Sequence, residues 1–201
     1  MGFLDRLSSP ETAGVQRGIR QAQSLLHEDR PQEAETLIRQ VIDVADKALG
    51  PAHQLAATAR VVLATVLFAL GRYEEAETEA HDLAAHRAQR PDDHLALAAL
   101  ALCALAVREQ GDPAEALRRQ DELLPFYERI HAPEHPLTLK LRADRAHTLN
   151  RLERYEEAAT ECRALLALAA ASKEPTAGAL ARKAEDGLAA ARAGQSVSED
   201  A

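Results

Sequence analysis

The chain has 201 residues, a formal net charge of −8, 46% hydrophobic residues but only 3% aromatics, and no tryptophan. The acidic balance argues against a nucleic-acid footprint, which needs a basic patch, and no apolar run approaches the ~18 residues of a membrane helix. Its apolar residues are mostly Ala and Leu, strong helix formers, so the composition predicts an all-helical soluble protein with closely packed helices.

At the N-terminus, MGFLDRLSSPE (1–11) lacks the basic-then-apolar pattern of a signal peptide, and Arg6 breaks the myristoylation pattern that Met1-Gly2 would open. Phe3, Leu4 and Leu7 form a short apolar face before the hinge Ser8-Ser9-Pro10, so this segment is a candidate to fill a groove of its own chain or to pair with a second copy. Hydrophobic spacing and breakers then predict helices over 12–28 and 31–48, 53–70 and 73–89, 93–110 and 113–130, and 135–152 and 155–171. Gly18 weakens the first of these. The apolar stretch LALAALALCALAV (95–107), bracketed by Asp92, Asp93, Arg108 and Glu109, reads as a buried core helix. A ninth helix over 175–193 has no second partner and looks like a capping element, with Lys183, Glu185, Asp186 and Arg192 on its outer face. Residues 194–201, GQSVSEDA, read as a disordered acidic tail. Cys103 and Cys162 sit inside helical patterns and read as free thiols in the cytoplasm. Arg outnumbers Lys by 20 to 4, which with the alanine content suggests a GC-rich bacterial genome.

One phrase recurs: GRYEEAETEA at 71–80 returns as ERYEEAATEC at 153–162, with DRPQEAE at 29–35 and GDPAEAL at 111–117 in the same register. Aligned on the Glu-Ala pair, the alanines are Ala34, Ala76, Ala116 and Ala158, spaced 42, 40 and 42. Twelve residues earlier stand Ala22, Ala64, Ala104 and Ala146, followed three later by Leu25, Leu67, Val107 and Leu149. Seven after each Glu-Ala alanine come Val41, Leu83, Leu123 and Leu165, and prolines recur at 51, 91, 133 and 175. A period of this length means a solenoid whose units bury their apolar faces by stacking. Small residues at fixed helix positions let two helices approach closely.

Ala–x2–Leu in a first helix, followed by Gly-Arg-Tyr-Glu-Glu-Ala-Glu opening a second, resembles a tetratricopeptide repeat. The ~42-residue period and the linkers LGPAH (49–53) and APEHPLTL (132–139) are similar to the long-helix variant of kinesin light chains and many bacterial proteins. The resemblance implies an all-α, right-handed α-solenoid: an N-terminal segment 1–11, repeats at 12–50, 51–90, 91–132 and 133–172, and a cap at 173–193. Where the family usually has Leu before the first-helix alanine, this chain has Cys103 in repeat three and Arg145 in repeat four, and the departure at Arg145 disturbs the local packing unless Arg145 faces a partner or Asp144.

What the resemblance implies is binding on the concave face lined by first helices. Carried over position by position, the groove is Val61, Val62, Thr65 and Phe68, then Ala101, Leu102, Leu105 and Arg108, then Lys140, Asp144, His147, Asn150 and Arg151. Its middle is apolar and its far end polar and partly basic. Val62, Ala98 and Leu102 occupy the positions where some relatives clamp a carboxylate, so an amphipathic helix or apolar peptide fits better. The same apolar residues also read as core.

Chemistry has little support. His53, His94 and His135 recur at 41-residue intervals after proline-containing linkers, which is a linker position rather than a metal site. His131 and His135 are separated by a helix-breaking Pro133, and no Cys-x2-Cys accompanies them. Glu74-Glu75 and Glu156-Glu157 suit second-helix N-termini. No phosphate-loop, dinucleotide or nucleophile-elbow motif is present. The expectation is a non-catalytic scaffold without cofactor or metal that binds a protein or peptide. Two alternatives stay open: a peptide-sensing subunit acting through a separate effector, and a self-assembling homodimer.

Overall fold

The computed structural model describes residues 10–87, 93–172 and 174–199. Among them are nine helices: α1 (Pro10–His27), α2 (Pro31–Ala48), α3 (Gln54–Ala69), α4 (Tyr73–Arg87), α5 (His94–Glu109), α6 (Pro113–His131), α7 (Pro136–Arg151), α8 (Tyr155–Ala171) and α9 (Ala177–Glu199).

The turn inside each helix pair is built the same way four times. Asp29, Gly71, Gly111 and Glu153 each adopt a left-handed φ of 59°, 73°, 102° and 58°, five residues before the Glu-Ala alanine. The next amide donates back across the turn to the carbonyl of Leu25, Leu67, Val107 or Leu149, at 2.9–3.2 Å. This is the left-handed termination that satisfies orphan carbonyls at a helix end, and it explains why the Leu/Val family keeps its register. Glycine adopts this conformation without a Cβ penalty, whereas Asp29 and Glu153 carry one. The second helices then start in two styles. In α2, α4 and α8 the arginine before the helix pairs with the Glu three residues on: Arg30 with Glu33, Arg72 with Glu75, Arg154 with Glu157. In α6, Asp112 instead caps, its Oδ1 accepting the Glu115 amide at 2.9 Å. GDPAEAL looks like a weaker copy of the phrase because it closes the same turn with different chemistry.

First helices are capped too. His53 and His135 accept the Leu55 and Leu137 amides on Nδ1, both at 3.2 Å. In the third repeat the equivalent cap is Asp93, accepting from Leu95 and Ala96 at 2.9 and 3.1 Å. His94 is therefore the first helical residue, and the histidine spacing of the sequence is one residue out of register there. Measured cap to cap, positions 53, 93 and 135 follow the spacing of the alanines.

The chain divides into two compact units, Met1–Ala106 and Val107–Ala201. In the first, α1, α2 and α3 share a core of Val15, Ile19, Ile38, Val41, Leu63 and Val66. A second cluster joins α3, α4 and α5 through Ala57, Ala64, Ala80, Leu83, Ala99 and Cys103. In the second unit, Leu139 and Ala146 of α7, Cys162 and Leu165 of α8 and Leu180 and Ala184 of α9 form one cluster. Leu117, Leu149, Ala158 and Ala191 form another. Seven of the eight periodic alanines are 0% exposed and Ala146 is 2% exposed, as close helix approach requires. Gly18, a helix weakener in the sequence, has a packing reason: a Cβ there would stand 2.4 Å from Val41 Cγ2, so glycine lets α1 close on α2.

Helix α9 runs on to Glu199, past residue 193, so 194–199 are helical rather than the disordered tail expected. A Cβ at Gly194 would lie 2.2 Å from the Tyr155 ring, so the glycine permits a close contact there. Residues 1–9, expected to fill a groove or pair with a copy, lie outside the described residues, as do 200 and 201.

Candidate binding surface

In the first unit, Val62 is 5% and Leu102 9% exposed, both within the core. Val61, Phe68 and Leu105 are half-buried and pack on the α3–α4–α5 cluster. Ala101 is also half-buried. Thr65 is exposed, its hydroxyl donating to the Val61 carbonyl at 2.8 Å. Phe68 lies 5.2 Å from Tyr73, rings tilted by 60°. These apolar side chains serve the core first and leave edges at the surface. The large exposed apolar residues among those described are elsewhere, at Val44, Phe126 and Leu137.

In the second unit, three of the predicted residues come together with helix α9. Arg108, Asp144 and His147 line a concavity of about 390 Å³ with Ala143, Lys183, Asp186 and Gly187. Arg108 is only 8% exposed. Its Nε donates to Glu109 at 2.8 Å and its Nη1 to the Asp144 carbonyl at 3.3 Å, so most of its charge is held in place. Lys140 pairs with Asp144 at 3.0 Å, and Arg151 with Glu109 at 3.1 Å. Partial burial, and then the nearby Arg108, lower the His147 pKa, which favours a neutral ring at neutral pH. Asn150 does not line this concavity. Its side-chain amide donates to the Gly187 carbonyl at 3.0 Å, and its Oδ1 is buried without a partner among the described residues. The sequence reading placed Lys183 and Asp186 on an outer face; they border the concavity instead. Spacing alone does not reveal this, because it depends on how α9 packs against α7.

Arg145 does not pair with Asp144, one of the two roles expected from its place in the repeat. It pairs with Asp121 at 2.6 Å and Glu161 at 2.8 Å, while Arg142 holds the other oxygen of Glu161 at 2.7 Å and also pairs with Glu128. A charged network stands where the family uses an apolar side chain.

No cluster of three or more His, Cys, Asp or Glu able to hold a metal occurs among the described residues, and no described helix is long and apolar enough to cross a membrane. No curated protein sequence matches the chain. Solved structures do. Nearly identical TPR-like repeats of the kinesin light chain type from Podosopora anserina superpose with a TM-score of 0.67 at 20% identity, covering 96% of this chain and 100% of that one. A single-substitution form of the same repeats gives 0.67 at 20% identity, over 93% and 97%. BtubC (BKLC) from P. vanneervenii gives 0.59 at 14%, over 93% and 90%. These likenesses show an all-α repeat solenoid fold. Tetratricopeptide repeat models match residues 11–80 and 97–137, together more than half of the sequence, and the chain belongs to the tetratricopeptide repeat family.

Proposed function

We propose that the chain is a non-catalytic scaffold that binds a protein or peptide through its first-helix faces, with the concavity of the second unit as the main contact. The observation that carries this reading is a contrast in how charge is used. On second helices and their turns, charged side chains satisfy one another: Arg39 with Glu35, Arg72 with Glu35 and Glu75, Arg118 with Glu115 and Glu122. At the concavity, Lys183, His147 and Asp186 line an open space, and none of them has a side-chain hydrogen bond or ion pair among the described residues. Unengaged polar groups around a hollow suit recognition more than stability. Two buried cysteines, neither of them in a disulfide, fit a reducing compartment such as the cytoplasm.

The test compares wild type with His147→Glu/Lys183→Glu in a pull-down from host lysate read by mass spectrometry. Both positions are exposed, so the double variant should keep its helical content by circular dichroism. Partners enriched by wild type and lost with the variant support the reading. Identical lists refute it.

A further inference from the structure

A second hollow lies in the first unit, away from the predicted groove residues. It measures about 380 Å³ and is lined by Pro51 and Ala52 of the linker, Ala57 and Arg60 of α3, and Glu79, Asp82, Leu83 and His86 of α4. That is the lower end of the 300–1,000 Å³ range of ligand sites and suits one side chain rather than a cofactor.

Its charge is unbalanced. Arg60 is held by both oxygens of Asp46, at 2.7 and 3.1 Å. Arg39, the other cation that acts on Glu79, is held by Glu35 at 2.8 Å. The half-buried Glu79 carboxylate has no hydrogen bond or ion pair among the described residues. The Asp82 carboxylate has His81 at 3.9 Å and nothing nearer among them. His86 directs Nδ1 at the Asp82 carbonyl, 2.6 Å away, so that ring nitrogen is engaged by the backbone of its own helix. Burial, with Asp82 adding to it, outweighs the pull of Arg60 and Arg39 and pushes the Glu79 carboxyl above the ordinary range, as expected for a carboxylate with no direct partner. The walls at Pro51, Ala57 and Leu83 are apolar.

An apolar shaft ending in spare negative charge matches an aliphatic cation, whose methylene stem packs on the walls while its head meets a carboxylate. We propose that this hollow receives a lysine or arginine side chain of a protein partner, with Glu79 as the principal contact and Asp82 as the second. The site is independent of the concavity in the second unit, so either can fail alone.

The test titrates the ¹⁵N-labelled full chain, at about 0.15 M salt to screen non-specific attraction. The probes are N-acetyl-lysine-N-methylamide and its norleucine analogue, which keeps the stem and lacks the ammonium. The lysine probe should give saturable amide shifts at Ala57, Glu79 and Leu83, with the norleucine probe at least about tenfold weaker, as for the loss of one charge-assisted contact. Glu79→Gln should retain the fold and weaken the lysine probe about tenfold. No saturable shift, or equal binding by Glu79→Gln, overturns the site. A Gly-Gly-Lys-Gly-Gly peptide should bind at least as tightly as the lysine probe. Spermidine binding more tightly than that peptide would assign the hollow to a free polyamine and overturn the partner assignment.

Discussion

Helices α3 and α7 occupy the same place in their repeats and use it in opposite ways. In α3, Ala56, Ala57, Ala59, Val62, Leu63, Ala64, Val66 and Leu67 are all buried. In α7 the buried set is three leucines and one alanine with Thr138 and Thr148, and the flanks carry Lys140, Arg142, Asp144, Arg145 and His147. Both keep the small alanine at the close approach, a histidine cap before the first turn and a left-handed residue after the last. The comparison teaches that the repeat backbone is specified by a few positions, which leaves the rest of the helix free to diverge. Helix α3 uses that freedom for apolar packing and α7 for ion pairs and one wall of an open polar hollow.

The largest effect should come from the ion network of the second unit, which is centred on a nearly buried carboxylate. Glu161 is 9% exposed and neutralises both Arg142 and Arg145. Glu161→Ala removes the carboxylate that the two guanidinium groups share, leaving Arg142 only Glu128 and Arg145 only Asp121, and should cost about 3 kcal/mol in denaturant unfolding. A cost under about 0.5 kcal/mol would mean that the network behaves as an ordinary surface pair. Next come the features that the units share. Ala64→Leu and Ala146→Leu should each cost about 2–3 kcal/mol by overpacking, so a large difference between them would break the claim of a common approach. His53→Ala and His135→Ala should each cost about 1 kcal/mol, whereas His135→Asp, which installs the cap that Asp93 supplies in the third repeat, should not.

Smaller still, Glu153→Gly should stabilise by about 0.5–1 kcal/mol by removing a Cβ from a left-handed position, and Gly111→Glu should do the reverse. The smallest concerns Glu79. Its folded pKa lies above its unfolded one, so the ionised form costs stability at neutral pH, and that cost disappears as protonation sets in at lower pH. Glu79→Gln should therefore raise stability at pH 7 by less than about 1 kcal/mol, with the gain shrinking as the pH falls through the carboxylate range. A gain that does not change with pH would show that the side chain is not strained by its charge.

The helix pairs were legible in the sequence because steric needs leave periodic marks. The alanines and the Leu/Val family whose carbonyls close the turns recur at nearly fixed spacing, and the structure places them as that spacing requires. Capping was less legible, since Asp and His can do the same work one residue apart, which concealed Asp93 behind His94. Surface function was least legible. Arg145 reads as a departure from the family until Asp121 and Glu161 arrive from other helices, and Lys183 and Asp186 join Asp144 and His147 only through the packing of α9 on α7. Such groupings depend on contacts distant in sequence, which periodicity does not encode.

The most direct test of binding through first-helix faces is hydrogen–deuterium exchange of the chain alone and bound to its captured partner. The account predicts new protection over 138–151 of α7 and 180–190 of α9, with little change over α6 and α8. Protection confined to α6 and α8, with α7 and α9 unchanged, would contradict it.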